Sequence, residues 1–330
     1  MPISINKDSI NFGTYSISVH ADGIEIDGKF KYGSYAVPIP PGAQGSTSGY
    51  ASGGGGPALQ TRIQKFPFAT DSNATNVGNL STGREGYAGT SSTVNGYSSG
   101  GRTPPAAFGI EKFPFASGTP AGTNIGALTV TTRQYAAGQS GADYGYTSGG
   151  GFPTSTNVID KFSFAADGDA TDVGDLTTTG RYSTGQSSTV SGYTSSGHRP
   201  DSPNSNVIDK FPFASDANAT DVGNLTQGRS QPAGQQSDSH GYTSGGQPNS
   251  NIIDKFPFAS DGNATDVGNL TQGRSQTSGS SSQDSGYAMA GFSPAGRQNT
   301  IDKFPFAADG NATDVGDLTL ASNKVAGHQY

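Results

Sequence analysis

The chain has 330 residues, of which 31% are hydrophobic and 50 are glycine, and its formal net charge at pH 7 is −7. This acidic balance argues against a general nucleic-acid-binding role, because no basic stripe is present to neutralise phosphates. The absence of cysteine excludes disulfides and cysteine-ligated metal sites. No segment approaches the roughly 18 consecutive apolar residues of a membrane helix, so we expect no membrane insertion.

Residues 1–45 differ from the rest of the chain. Alternating apolar residues flank an Asp-Gly turn at residues 22 and 23, a pattern typical of a β-hairpin. Residues 37–42 contain three prolines, which lack an amide donor, so we predict an extended tether there. The first residues lack a basic segment followed by an apolar one, and we expect no secretory signal.

An isolated hairpin is marginally stable in water, so this N-terminal β arm is expected to dock on something. One alternative is that it packs on the rest of its own chain. The other is that it attaches to a partner protein or to a second copy of the chain, which would make a homo-oligomer.

From about residue 46 one motif recurs six times. Its clearest copy is Ile-Asp-Lys-Phe-Pro-Phe-Ala at residues 253–259, and successive copies lie 45 to 49 residues apart. Each unit has four short extended segments separated by turns rich in Gly, Asn and Ser, and none shows the 3.6-residue apolar period of a helix. Four strands in about 40 to 50 residues is the size of a propeller blade.

These units resemble kelch repeats. An Arg starts the first strand in five units, a Tyr and a Gly-Gly pair end the second strand in four, and an apolar-Asp-aromatic pattern is typical of the third. The Gly-Gly pair degrades to Ser-Gly in one unit and to Ala-Gly in another. The departure is the fourth strand, where kelch units carry a Trp and this chain has none. The resemblance covers residues 46–330 and implies an all-β fold: a six-bladed β-propeller of four-stranded kelch-like blades, plus the N-terminal β-hairpin arm.

The ends of the repeat region predict how the ring closes. The chain enters at a second strand, residues 48–54, with no first strand before it, and it ends with residues 322–329, which align with residues 229–236. The C-terminal strand is therefore predicted to complete blade one, which removes open sheet edges. This gives an anchoring arm at 1–45 and a propeller at 46–330. A seventh blade from the arm has no support, because the arm lacks the repeat landmarks.

The motif itself is interpreted as scaffold. Its Phe residues are expected to pack between blades, where burial of each is worth about 2–3 kcal/mol. The Pro that follows removes a ladder donor, so a bulge or an early end to pairing is expected there. The scaffold residues are Phe66, Phe113, Phe162, Phe211, Phe256 and Phe304.

Length variation is concentrated in the connection between the second and third strands. In an antiparallel blade this connection lies on the same face as the link between blades. Loops carry function more often than scaffold strands, so we predict that this face binds a partner, the alternative being neutral loop drift. The candidate residues are Arg102, Phe152, His198, Arg199, Asp201 and Phe292 from the loops, and Arg84, Arg133, Arg181, Arg229 and Arg274 from the links.

One spacing differs among the units. The distance from the link Arg to the second-strand Tyr is 13 residues in four units and 12 in the unit that runs from Arg181 to Tyr193.

Other motifs are interpreted without catalytic or metal chemistry. Residues 261–266 resemble a calcium loop, but they lack alternating ligands and a closing Glu, and Asx turns explain them better. The Asn-Ala-Thr sequons are read as turn residues. No Gly-x-Ser-x-Gly motif has a partnering His and acid. The four His are scattered through different segments: His20, His198, His240 and His328. We therefore predict no catalytic residue, no metal site and no cofactor.

The near-identity of the six units suits a structural or adhesive role, because catalytic propellers usually need one or two blades to diverge. Together with the N-terminal arm, the repeated Lys-Phe-Pro-Phe-Ala resembles kelch-like repeat proteins of tailed-phage virions. The resemblance implies a non-enzymatic virion structural protein on the particle surface, a tail, fibre or capsid component. Its residues 1–45 would contact other virion proteins and its propeller a host-surface glycan. The rival interpretations are a cellular kelch-type interaction module and a glycan-acting enzyme.

Overall fold

The computed structural model describes residues 4–6, 9–11, 16–20, 23–26, 30–32, 45–102, 109–131 and 133–330. None of these residues belongs to a helix long and apolar enough to span a membrane. The chain divides into two compact units, Met1–Ile39 and Pro40–Tyr330.

The first unit is an antiparallel sheet whose five strands pair in chain order. They are β1 (Ser4–Asn6), β2 (Ser9–Asn11), β3 (Ser16–His20), β4 (Gly23–Ile26) and β5 (Phe30–Tyr32). The predicted hairpin is β3–β4, in which Val19 faces Ile24 and His20 faces Gly23. A lone hairpin was too small a prediction, since β2 and β5 pair with its two edges and β1 pairs with β2. The other three strands, β1, β2 and β5, have three residues each, which is too short to show an alternating apolar pattern in the sequence. The predicted tether at 37–42 lies outside the described residues.

The second unit is a six-bladed β-propeller with four antiparallel strands in each blade. Blade 1 begins with β6 (Ser48–Ser52), β7 (Arg62–Pro67) and β8 (Thr75–Asn79). Blade 2 has β9 (Ala88–Ser91), β10 (Asn95–Ser99), β11 (Gly109–Pro114) and β12 (Thr123–Ala127). Blade 3 has β13 (Ala137–Ser140), β14 (Tyr144–Ser148), β15 (Thr156–Ser163) and β16 (Thr171–Gly180). Blade 4 has β17 (Thr184–Ser187), β18 (Ser191–Ser195), β19 (Val207–Pro212) and β20 (Thr220–Asn224). Blade 5 has β21 (Ala233–Gln236), β22 (His240–Ser244), β23 (Ile252–Pro257) and β24 (Thr265–Asn269). Blade 6 has β25 (Ser278–Ser281), β26 (Ser285–Met289), β28 (Gly296–Pro305) and β29 (Thr313–Ser322), with the two-residue β27 (Phe292–Ser293) added to β28. The last strand, β30 (Ala326–Gln329), returns to blade 1.

The closure predicted from the sequence is confirmed. Strand β30 pairs with β6 as the first strand of blade 1, with Ala326 facing Ser52 and Gln329 facing Gly49. The first strands of all six blades contact one another in sequence around the axis, so they form the innermost layer. Closure leaves no first strand unpaired, as a propeller requires.

A ring of backbone hydrogen bonds encircles the axis just before the first strands. We call its six members the axial ring: Gly86, Tyr135, Tyr182, Gln231, Gln276 and Lys324. All have left-handed φ angles, between 55° and 64°. Each amide donates to the carbonyl of the preceding member over 2.6–3.1 Å, including Gly86 to Lys324. This φ is costly for a side-chain-bearing residue, and the closed hydrogen-bond ring offsets that cost.

The apolar core lies at the six seams between blades. At the seam of blades 4 and 5, Tyr193, Ile208 and Leu225 pack against Phe256 and Ala264 of the next blade. Phe256 lies 5.6 Å from the Tyr193 ring, centroid to centroid. The structure buries the six scaffold residues in this way: Phe66, Phe113, Phe162, Phe211, Phe256 and Phe304.

Two details of the third strand have local causes. The Phe256 ring lies so close over Gly241 of the neighbouring strand that a Cβ there would stand 2.2 Å from Cζ, which explains the Gly before each Tyr. The Pro is the last residue of the strand in five blades, but the third strand of blade 3 ends at the equivalent Ser163, so the Pro is not what ends the strand. The bulge lies elsewhere, between Ile253 and Asp254 in the pairing with β24.

Lysines of the third strands form ion pairs across the outer part of the seams. Lys210 Nζ lies 2.9 Å from Asp261 Oδ1, and this hydrogen bond raises the pKa of Lys210. Four further pairs within the described residues have the same form: Lys112–Asp167, Lys161–Asp216, Lys255–Asp309 and Lys303–Asp71. The Asp residues expected in Asx turns therefore also hold blades together.

Replacing Lys210 by Met is expected to lower stability by at most about 1 kcal/mol, because the Asp261 side chain is 57% exposed and such pairs are well solvated. The loss should vanish at about 1 M NaCl, where charges are screened. Urea unfolding at low and high salt measures both effects. Lys65→Met is the matched control, since Lys65 forms no ion pair with the described residues. A loss that high salt leaves unchanged would contradict the assignment to the ion pair.

Candidate functional site

The link arginines expected on a binding face are mostly inside the blades. Arg229 is 0% exposed, and its Nη2 lies 2.6 Å from Asp254 Oδ2 and donates to the Thr243 carbonyl. Equivalent buried pairs are Arg84–Glu111, Arg133–Asp160 and Arg274–Asp302. A buried charge must be paired, so these four arginines hold the blade interior and do not face a ligand. This corrects the sequence-based prediction for Arg84, Arg133, Arg229 and Arg274.

The chain itself shows that the two partners belong together. In blade 1 the Arg position is occupied by Ser322 and the Asp position by Gln64, so both charges are missing from the same blade. Gln64 Oε1 accepts from the Thr319 amide and hydroxyl at 2.7 Å each. In blade 5 Asp254 accepts from the Thr226 amide and hydroxyl in the same way.

Blade 4 fills the arginine position from a different segment. The link is as long as in most blades, but Arg181 lies one position later than the other link arginines. Gly180 therefore occupies the arginine position, and Arg199 from the loop reaches in instead. The Arg199 Nη2 lies 2.8 Å from Asp209 Oδ2, and Arg199 is buried. Arg199 therefore stabilises the blade, which corrects its assignment to the binding face. The 12-residue spacing from Arg181 to Tyr193 was the signal of this exchange.

The exchange leaves Arg181 at the surface near the axis. Its backbone pairs with His198, just as Ser230 pairs with Gln247 in blade 5. These bridges bring the links and the second-to-third-strand loops together on one face, which we call the link face. On this face Arg102 is 57% exposed, Phe152 49% and Phe292 41%. Asp201 is also exposed and lines a shallow cavity of about 360 Å³ at blade 4 with Thr177 and Asp221.

The centre of the link face holds a cavity that sequence reasoning missed. The axial-ring side chains Tyr135, Tyr182, Gln231, Gln276 and Lys324 line a space of about 80 Å³, which we call the axial mouth. None of the five was a predicted site residue. Their signal is a position three residues before the first-strand Gly, which reads Gly, Tyr, Tyr, Gln, Gln and Lys in successive blades of otherwise similar units.

Three aromatic rings and two cations form a row of contacts along one side of the axial mouth. The Tyr135 and Tyr182 ring centroids are 4.3 Å apart. Lys324 Nζ lies 5.3 Å from the Tyr135 centroid, and Arg181 Cζ lies 5.5 Å from that of Tyr182 and 5.3 Å from that of Phe152. Cation–π contacts are worth about 0.5–2 kcal/mol each, depending on desolvation. These contacts form one continuous row, and the ring contacts hold its two cations beside the cavity. The row reads Phe152, Arg181, Tyr182, Tyr135, Lys324.

Hydrogen-bonding groups complete the mouth. Burial raises the pKa of both Tyr135 and Tyr182, so their hydroxyls stay protonated and can donate at neutral pH. Lys324 Nζ lies 3.3 Å from Glu85 Oε1 and 3.4 Å from the Tyr135 hydroxyl. Gln231 Oε1 is buried and finds no hydrogen-bond partner among the residues that the structure describes. The mouth thus offers donors, two fixed cations and one unsatisfied acceptor.

The opposite end of the axis is more uniform. Its cavity is lined by Ser91, Ser140, Ser187, Gln236 and Gln329 together with the first-strand glycines. The serine side chains accept hydrogen bonds from the backbone of the preceding blade: the Ser91 amide donates to Ser140 Oγ at 3.0 Å and the Ser140 amide to Ser187 Oγ at 2.9 Å. Those groups are committed to ring packing, which leaves the axial mouth as the better candidate for a ligand.

No group of three or more His, Asp or Glu side chains placed to hold a metal ion occurs within the described ranges. The sequence matches no protein-family model, and a search of curated proteins finds no similar sequence.

Proposed function

We propose that the protein is a non-enzymatic attachment propeller that binds surface glycans through the axial mouth. One observation carries the proposal: the axial-ring position bears different side chains in similar blades, and these side chains meet at one cavity. A structural position would keep one residue type, as the buried Phe of each third strand does. Different side chains that converge on one cavity favour an asymmetric ligand site.

We also propose that this propeller is a kelch-like component of a virus particle, a tail, fibre or capsid-surface protein. The resemblance in its repeats supports this assignment, and the separate N-terminal sheet suits an anchor to other virion proteins. Mass spectrometry of purified particles tests it. Recovery of the protein only from the soluble fraction of infected or uninfected cells would favour the alternative, a cellular kelch-type interaction module.

The double substitution Tyr135→Ala/Tyr182→Ala is expected to lower glycan binding at least about tenfold, because it removes the centre of the aromatic–cation array. A glycan array probed with labelled protein measures this. Val94→Ser/Val190→Ser is the control, since both valines are exposed on first-to-second-strand turns away from the mouth. Equal binding by the tyrosine variant and the wild type would contradict the proposal. Mass spectrometry of bound glycans after incubation would show cleavage products if the protein were a glycan-acting enzyme.

A further inference from the structure

We propose that the axial mouth binds a sugar that carries a carboxylate, and that the ligand enters by its acidic end. This inference rests on the proposed function and specifies its ligand class.

The charge of the mouth opposes that of the chain. Arg102, Arg181 and Lys324 bring three positive charges to its rim, and Glu85 brings one negative charge. The rim is therefore formally +2 in a chain of net charge −7. Glu85 is buried and shared between Arg102 and Lys324, so it compensates only part of their charge. An anionic group is the ligand that this local field favours.

Lys324 lines the cavity and Arg181 contacts Tyr182, which lines it, and both cations are held in place before any ligand arrives. The Arg181 guanidinium lies against both Phe152 and Tyr182, and its Nη1 donates to the Pro153 carbonyl at 3.0 Å. Lys324 is held by the Tyr135 ring and by Glu85 at 3.3 Å. Preorganised side chains lose less conformational entropy on binding, and a planar guanidinium suits the geometry of a carboxylate.

The neutral groups of the mouth call for a ligand that also has hydroxyls. Gln231 Oε1 is an acceptor without a partner in the described part of the chain, and a ligand hydroxyl that reached it would complete its hydrogen bonding. The hydroxyls of Tyr135 and Tyr182 and the amide of Gln276 lie around the same cavity. A sugar acid presents hydroxyl donors within a few ångströms of its carboxylate. A peptide C-terminus presents its carboxylate beside a variable side chain and lacks the neighbouring hydroxyl donors of a sugar.

The size of the cavity fixes how the ligand enters. About 80 Å³ is well below the roughly 300–1,000 Å³ of a site that encloses a whole small molecule. It admits a carboxylate and the adjoining edge of one ring, while the rest of the sugar stays on the link face. The acidic residue is therefore the terminal or side-branch unit of the glycan.

Calorimetric titration with matched sugars tests the inference. The probes are the methyl glycosides of glucuronic acid, galacturonic acid and N-acetylneuraminic acid, each beside its own methyl ester, which removes the charge and keeps the ring. At least one acid is expected to bind at least tenfold more tightly than its ester. Its affinity should fall as NaCl is raised, because the interaction is an ion pair.

The variants are taken from residues that the chain already uses at equivalent positions. Lys324→Gln reproduces Gln231 and Gln276 of the axial ring, and Arg181→Gln reproduces Gln134 of blade 3. Both are therefore compatible with the local backbone, and each is expected to weaken acid binding about tenfold and ester binding little. Lys65→Gln makes the same change of charge away from the mouth and should bind as the wild type does. Unchanged melting temperatures confirm that the variants are folded.

Each result decides between the claims. Equal affinity for acid and ester would overturn the carboxylate inference. The proposed function would still stand if the mouth variants bound neither the acid nor the ester. If no sugar acid binds, or if a peptide with a free C-terminus binds while the sugars do not, the ligand class is wrong. If a sugar binds and all mouth variants bind it like the wild type, both the inference and the proposed site are wrong.

Discussion

Arg229→Ser is expected to destabilise the propeller by about 3–5 kcal/mol, the usual cost of removing one partner of a buried ion pair. Arg229 and Asp254 are both fully buried, with Nη2 and Oδ2 2.6 Å apart. Without the guanidinium, the Asp254 carboxylate is left charged in the blade interior, and the carbonyls of Thr243 and Ile252 lose their donor. Urea unfolding followed by circular dichroism should show a large fall in the midpoint concentration.

The matched control comes from blade 1 of the same chain. The double variant Arg229→Ser/Asp254→Gln installs the neutral pair that blade 1 has in Ser322 and Gln64. Gln can accept from Thr226 as Gln64 does from Thr319. The double variant is therefore expected to regain most of the stability lost in the single variant. A double variant no more stable than Arg229→Ser, or a single variant with the wild-type midpoint, would contradict the buried-pair explanation.

The blade architecture could be predicted because its causes repeat. The recurring Ile-Asp-Lys-Phe-Pro-Phe-Ala motif marks each third strand, and the alignment of residues 322–329 with 229–236 predicts the closing strand. Both features act through backbone pairing and apolar packing, which depend on residue type at a fixed spacing. The N-terminal unit lacks such a repeat, and of its five strands only the hairpin at residues 16–26 was predicted.

The direction of a side chain is harder to predict from residue type. Arg229 and Arg181 look equivalent in the sequence, yet the first is buried beside Asp254 and the second contacts Phe152 and Tyr182. The link of blade 4 has the same length as that of blade 5, but Gly180 occupies the position of Arg229 and Arg181 that of Ser230. A shift of the arginine by one position thus places it beside the axial mouth and not in the blade interior.

The axial mouth could not be predicted without the ring geometry. Its five side chains are separated by tens of residues and meet because each stands immediately before an innermost strand. Each residue is unremarkable by itself. The axial-ring position varies among the six units, but so do the positions on either side of it. Only the ring geometry shows that these particular side chains meet at one cavity.

Acid is expected to destabilise the protein through His328, by about 3 kcal/mol between pH 7 and pH 4. His328 is 1% exposed and lies in the closing strand β30. Its Nδ1–H donates to the Thr90 carbonyl of blade 2 at 3.1 Å, and its Nε2 accepts from the Ser52 hydroxyl of blade 1 at 2.8 Å. Both ring nitrogens are used in the neutral form, so the residue ties the C-terminal strand to two blades.

The sign of the effect follows from the direction of the pKa shift. Burial lowers the pKa of His328 from 6.5 to about 4 in the folded protein. Between these values the unfolded chain binds a proton that the folded chain does not, so the free energy of unfolding falls as the pH falls. Above pH 7 the residue is neutral in both states and contributes no pH dependence. Protonation would also remove the acceptor that Ser52 uses, which weakens the closing strand in particular.

His328→Gln should remove this part of the acid sensitivity, because Gln is the residue that blades 3, 4 and 5 have at the same position. Gln235 there donates to Ser244 Oγ at 2.9 Å and to the Tyr287 carbonyl of the next blade at 3.0 Å, and it does not titrate. The reciprocal change, Gln235→His, should add a second loss of stability over the same pH range. Urea unfolding from pH 7.5 to pH 4 gives the free energy of unfolding of the wild type and the two variants. The contribution of the carboxylates cancels in the differences between these free energies, because all three proteins share them. If the wild type and His328→Gln lose stability in parallel as the pH falls, His328 is not the acid-sensitive link of the ring, and other titrating groups account for the pH dependence.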